Sequence, residues 1–306
     1  MNKLKLVLLI GIVSVYSITL QAQYIIEQLE YNIPLNYELV PEDVELENPI
    51  EEARFFLQVS DSKLRDMSQK EFGDIEMIAS TIYIDGDNFT VESSSQEEGK
   101  TTVIFNQNKG IIYYVIWAQE KIYVISDEDM AGIQKGVNAA MLKVMEQLPP
   151  ELQEQAKMAT QNNNKQQITA TGREMVKYGQ KCSEYFVEDE EDVMVIWAAE
   201  DTMGLLAKVK SMSEKLAELF PGMEEEERDE WEVIAGKIPV ETRSYHSNGM
   251  EGAEIEVQAI TRITKTKPSA DKFILPAEAV GFQRSSFKEM MGEMQELLQG
   301  MEEGFE

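Results

Sequence analysis

His246 is the only histidine and Cys182 the only cysteine in 306 residues. Any Ser-His-Asp or Cys-His site would have to be built on His246. It sits in Tyr245-His-Ser-Asn-Gly249, which reads as a turn after a strand. A nucleophile needs its base within hydrogen-bond reach, and no nucleophile elbow accompanies this histidine, so it is expected to be an exposed loop residue. Zinc sites draw mainly on several Cys and His ligands, and one of each is too few. Asp85, Asp87 and Asn88 begin like a calcium loop but lack its later Gly and distal Glu; they are expected to form a hairpin turn. No glycine-rich phosphate loop follows a strand. Two carboxylates could in principle perform glycoside hydrolysis, but the acids cluster in runs at 188–192 and 224–230, the pattern of solvated turns. No catalytic residue, metal ligand or cofactor is predicted, and the expected class is a non-enzyme.

Methionine stands above background, with 17 in the chain. Its flexible, polarizable thioether suits surfaces that accept varied apolar partners, but it also serves as core filler. Copper(I) binding through thioethers is a third option, disfavoured because the methionines fall at core spacing. The candidate ligand-binding set is Met203, Met212, Met291, Met294 and Leu298, with Trp117 and Trp197 as aromatic wall.

The elements that would position these residues begin after a distinct N-terminus. Lys3 and Lys5 precede an apolar run over 6–20, closed by Leu20-Gln21-Ala22. That layout is a secretory signal peptide, too short for the roughly 20 residues of a membrane span. Residues 1–22 are therefore expected to be removed, leaving an exported chain, periplasmic or extracellular, with no membrane span. The net charge is −28, so nucleic acid is excluded as a partner held by counterion release. The lone Cys182 falls in an alternating pattern and is expected in the core.

Strands are predicted at 23–32, 54–59 and 75–84. The last turns through Asp85-Gly86-Asp87-Asn88 into 89–93. Further strands follow at 101–105, 111–117 and 121–125. The residues over 34–49 are acidic and read as loop. Met130, Ile133, Val137, Met141, Val144 and Leu148 fall on one face of a helix, and a shorter helix follows over 151–161. Strands return at 167–176, 182–187 and 193–198. A second amphipathic helix buries Met203, Leu206, Val209, Met212, Leu216 and Leu219 and turns Lys208 to solvent. Strands at 231–235, 240–244 and 254–264 follow, the last with a phase slip near Ile260 that suggests a bulge. A third, Met-rich helix ends the chain.

The segment Thr171-Gly-Arg-Glu-Met-Val-Lys-Tyr-Gly-Gln-Lys-Cys-Ser-Glu-Tyr185, followed by Val195-Ile-Trp197, resembles the DUF4412 family of exported bacterial proteins. The hairpin Tyr83 to Glu92 and the closing Phe273-Ile-Leu-Pro276 with Gly281-Phe282 are similar to it too. The resemblance implies a fold like that of the periplasmic lipoprotein carriers (LolA-like). The expected class is α+β, mainly antiparallel: a curved, unclosed half-barrel sheet with amphipathic helices on its concave face. One domain would run over 23–284, with the Met-rich helix at 285–306. Two functions stay open: a carrier holding a lipid, acyl chain or hydrophobic peptide segment in the cavity, or a structural protein of the envelope whose barrel is filled by itself.

Overall fold

The computed structural model describes residues 23–35, 40, 49–96, 99–106, 109–126, 129, 167–188, 193–209, 234, 236–247, 253–286 and 288–290. The segment expected to be a signal peptide, the helices expected over 130–148 and 151–161, Met212 and the C-terminal residues Met291, Met294 and Leu298 lie outside them.

The strands are β1 (Gln23–Pro34), β2 (Met77–Asp85), β3 (Asn88–Ser95), β4 (Gly99–Asn106), β5 (Ile111–Ile116), β6 (Lys121–Ser126), β7 (Gln167–Lys177), β8 (Gln180–Glu188), β9 (Val193–Glu200), β10 (Lys237–Ser247), β11 (Ala253–Lys265) and β12 (Gln283–Ser286). They form one sheet in the order β12-β6-β5-β4-β3-β2-β1-β11-β10-β9-β8-β7. Every pairing is antiparallel except β12 on β6. The sheet is unclosed, as expected. Strand β1 is its centre, joining the meander β2–β6 on one side to β11–β7 on the other.

Two helices were not expected: the first takes in the strand read over 54–59, and the second lies where the sequence predicted no element. They are α1 (Pro49–Gln58) and α2 (Asp61–Phe72), so the strand expected over 54–59 is corrected. Proline suits a first helical position, where its missing N–H has no partner to lose. Glu51 and Glu52 in the first turn complement the helix dipole. Ala53, Phe56, Leu57 and, on α2, Leu64 are buried; within α1, Phe56 and Leu57 fall three and four residues after Ala53, a helical spacing.

Side chains alternate along a strand, and β1 changes phase midway. Tyr24 and Ile26 belong to one apolar cluster, with Ile82, Ile84, Phe89, Val91, Val103 and Phe105. Tyr31 and Ile33 belong to another, with Val193, Val195, Trp197, Val257 and the helices α1 and α2. The pairing of β1 with β2 runs without a shift from Gln23 to Tyr31, so even and odd positions stay on opposite sides. The two main cores therefore lie on opposite faces of one sheet, in place of a single helix-lined concavity. The phase slip expected near Ile260 is a bulge: adjacent Glu27 and Gln28 pair with Arg262 and Ile260, and Thr261 is left over.

Each remaining face is covered differently. On the β3–β6 side, the segment 266–282 crosses the face opposite Phe89 and Phe105. Thr90 donates to the Lys272 carbonyl at 2.6 Å and Asn106 to that of Phe273 at 3.3 Å. Leu275, Ala279 and Phe282 pack there with Val115, Ile122 and Trp117. A helical stretch at 205–209 starts where Asp201 accepts the N–H groups of Met203, Leu205 and Leu206 at 3.2, 2.9 and 2.8 Å, satisfying first-turn donors that have no partner within the helix. Lys208 does not face solvent as expected. It is 7% exposed, with Nζ 3.4 Å from Asp87 Oδ1. His246 is not in a loop either: it lies in β10, 3.4 Å from Glu256.

Candidate functional site

The densest polar chemistry in the described residues lies on the α1–α2 face of β7–β10. Register places Glu184 of β8 opposite Trp197 of β9, and Trp197 opposite Glu241 of β10. These three form one row across the sheet, and all are buried. A buried carboxylate needs compensating charge and hydrogen bonds, and β7 supplies most of it. Its pairing with β8 slips between Ala170 and Glu174, with Gly172 at φ +78°, a left-handed backbone that favours glycine. The slip aims two side chains at one partner. Thr171 Oγ1 donates to Glu184 Oε2 at 2.7 Å, and the Arg173 guanidinium meets Glu184 Oε1 at 3.0 Å. Farther along, Lys177 Nζ meets Glu241 Oε1 at 2.7 Å.

Glu241 Oε1 also takes Arg243 Nε at 2.9 Å, while the same guanidinium donates to the Val59 carbonyl at 3.2 Å. That bond ties the sheet to the α1–α2 connection. Arg173 and Lys177 lie over the Trp197 ring at 5.6 and 5.3 Å, cation–π distances. The hairpin closes through Tyr178 and Gly179, at φ +48° and +80°. Two successive positive φ values match the twist of a two-residue hairpin turn, and a tyrosine at the first of them is strained. Burial, then the Glu241 charge, push the Tyr178 phenol above its ordinary range. Cys182 is buried under this hairpin, its thiol donating to the Gln180 carbonyl at 3.5 Å and its pKa raised chiefly by burial. On α2, the Tyr31 hydroxyl donates to Asp61 at 2.7 Å, and burial with that bond raises its pKa well above the usual phenol range.

Next to the row is an open cleft of about 300 Å3, lined by Arg54 and Gln58 of α1, Gln167, Thr169 and Thr171 of β7, and Phe186 and Glu188 of β8. Phe186 is the one apolar residue of that lining. The Arg54 guanidinium lies 5.4 Å from the Phe186 ring centre and pairs with Glu188. The cleft touches the charged row through Thr171. Chemically it offers one aromatic ring, Phe186, among amides and hydroxyls, with its nearest carboxylates already engaged by arginines.

Three of the expected ligand residues are described, and they lie apart. Trp117 donates its ring N–H to Thr102 at 2.9 Å and stacks edge-on against Phe282 at 5.6 Å. Trp197 lies in the α1–α2 core. Met203 packs on the opposite face with Tyr24 and Leu205, its carbonyl accepting from the Tyr24 hydroxyl at 2.7 Å and Lys265 Nζ at 2.9 Å. The structure thus does not bring Trp117, Trp197 and Met203 together, and Met212, Met291, Met294 and Leu298 fall outside the described residues. The Glu184–Glu241–Arg243 row was not singled out from sequence. Its signal is charge at inward positions of an alternating strand, Cys182-x-Glu184-x-Phe186 and Glu241-x-Arg243-x-Tyr245. Among the described residues no group of three His, Cys, Asp or Glu could hold a metal ion, and no helix is long and apolar enough to cross a membrane.

Residues 142–279 match the model of a family described as a domain of unknown function (DUF4412), which bears out the resemblance drawn from the β7–β8 hairpin. No curated protein matches the chain. Among solved structures, two of PNGF-II match at TM-scores of 0.24 and 0.24, with 10% and 12% identity. The matches cover 88% and 87% of this chain but 33% and 31% of those, so the chain spans about a third of their length. A TM-score of 0.24 assigns no fold.

Proposed function

We propose that this DUF4412 chain is a non-catalytic binding protein acting outside the cytosol, and that its recognition surface is the cleft between α1 and the β7–β8 hairpin. The observation that carries the proposal is the cleft itself: about 300 Å3, open, with the Phe186 ring set among neutral amides and hydroxyls and beside the mutually paired Arg54 and Glu188. Ligand sites are concave and apolar with a few placed polar groups. The carboxylates beside the cleft are already engaged. Both oxygens of Glu184 are bonded to Thr171 and Arg173, and Glu241 Oε1 holds two cations, so these carboxylates are structural anchors for Arg173, Lys177 and Arg243. The ligand has an apolar part that rests on Phe186.

The purified protein should bind an environment-sensitive apolar dye saturably, one dye per chain. Thr169→Arg fills the cleft from an exposed edge position, so it should abolish binding while leaving the melting temperature unchanged. Equal binding by that variant would place the site elsewhere and overturn the proposal. The structural alternative is favoured by one observation: the faces expected to enclose a ligand are covered by the chain's own residues, 266–282 on one half and α1–α2 on the other. Absence of saturable binding in the parent protein would decide for it.

A further inference from the structure

The two edges of the sheet are unlike. β12 is four residues long, whereas β7 is eleven. Among the described residues no strand pairs with the outer side of β7, and all but two of its residues are exposed or nearly so. An exposed edge presents a row of backbone donors and acceptors that can template another strand. Proteins blunt such edges with charges and bulges, and half of β7 is blunted in both ways. The slip at 170–174 breaks the ladder, and Arg173, Glu174 and Lys177 follow it. The other half, Gln167-Ile-Thr-Ala170, carries neither charge nor bulge. That undefended half is the one whose Gln167 and Thr169 line the cleft.

We infer that 167–170 is a docking edge for an extended peptide segment of a partner protein, added to β7 as a further strand. The inference rests on the cleft being the recognition surface and names its ligand class. The two faces of the edge specify the chemistry. On the cleft side, the incoming strand's side chains lie against Gln58, Phe186 and the Arg54–Glu188 pair, which suits threonine, whose methyl can rest on the Phe186 ring while its hydroxyl meets the polar rim. On the other side they lie beside Ile168, which packs with Val187, Ile196, Ala198 and Ile234, and this suits aliphatic residues. The partner segment therefore alternates apolar and neutral polar residues. With a chain charge of −28, long-range attraction selects basic flanks over acidic ones. Main-chain bonds give such complexes their affinity and alternate pockets their specificity.

The test uses a fluorescein-labelled nine-residue peptide with a Val-Thr-Val-Thr-Val centre and lysine flanks, read by anisotropy against the purified protein. The parent peptide should bind saturably and displace the apolar dye from the cleft. Two N-methylated versions follow, each with alternate amides blocked along one edge of the strand. One should lose at least tenfold in affinity, because the methyls replace the donors that pair with β7, and the other should bind like the parent. Exchanging the lysine flanks for glutamate should weaken binding at low salt. Equal affinities for the two N-methylated peptides would overturn strand addition, as would binding without dye displacement. Saturable dye binding with no peptide binding would overturn this inference while leaving the cleft as a site for an apolar ligand; loss of both would remove the two together.

Discussion

Replacing Arg243 by Met tests whether the charged row is as tightly built in solution as its geometry indicates. Arg243 is buried, and its guanidinium serves Glu241 at 2.9 Å and the Val59 carbonyl at 3.2 Å. Methionine occupies a similar volume, so the packing loss is small. What is lost is a charge-assisted hydrogen bond and a bond to a main-chain oxygen, each worth about 1–3 kcal/mol once the partner is left buried. Removing one member of a buried ion pair costs roughly 3–5 kcal/mol when the other is stranded. Here Lys177 remains on Glu241, which sets the expectation at about 3 kcal/mol, the lower end of that range. For a chain of this size that is a fall in melting temperature of about 6 °C. The double variant Glu241→Leu, Arg243→Met strands neither charge. Lys177, near the edge of the sheet, can turn to solvent, so the pair should cost only about 1 kcal/mol together. Urea unfolding followed by circular dichroism gives both values. If Arg243→Met lies within about 1 kcal/mol of the parent, or if the double variant costs the sum of the singles, the row is not a desolvated network.

Lys208→Asp should be strongly destabilising, because it replaces a buried cation by a second carboxylate facing Asp87, and Lys208→Met should cost clearly less; equal thermal melts would contradict that placement. Leu206→Asp, which puts a charge against the Tyr24 cluster, should cost about 2–4 kcal/mol in the same assay. Cys182 should react with a thiol reagent far more slowly in native protein than in denaturant, and similar rates would show that the β7–β8 hairpin opens. Cys182, Tyr31 and Tyr178 all have pKa values raised on folding. Raised values mean that the folded state holds these protons longer, so their contribution is complete at neutral pH and is lost as pH climbs past the ordinary thiol and phenol ranges. The urea midpoint should therefore fall between pH 8 and pH 10.5, and fall less in Tyr31→Phe; a midpoint insensitive to pH in both proteins would refute the assigned burial.

The strands were legible from sequence wherever alternation and a turn coincided. The hairpin through Gly86, the Tyr178-Gly179 turn and the bulge at Thr261 all rest on local backbone preference, which acts within a few residues. The inward position of Cys182 followed from the same alternation. The helix α1 was misread because six residues, 54–59, cannot distinguish a short strand from part of a buried helix; Ala53, Phe56 and Leu57 make the helical period plain only when the window opens before Arg54. Lys208 misled for a related reason. Helical spacing put it on the polar side, but its burial depends on Asp87, 121 residues away, reaching the same place. The phase change along β1, from Tyr24 and Ile26 to Tyr31 and Ile33, was present in the sequence too. Its meaning was not, because a strand's alternation shows that two faces exist and not what covers each. That was decided by packing: inward side chains of β2–β6 share one face of the sheet with Tyr24 and Ile26, and α1–α2 pack on Tyr31 and Ile33 on the other. The charged row likewise needed pairing to exist, since Glu184, Trp197 and Glu241 become neighbours only when three strands align and the slip in β7 turns Thr171 and Arg173 onto the same carboxylate.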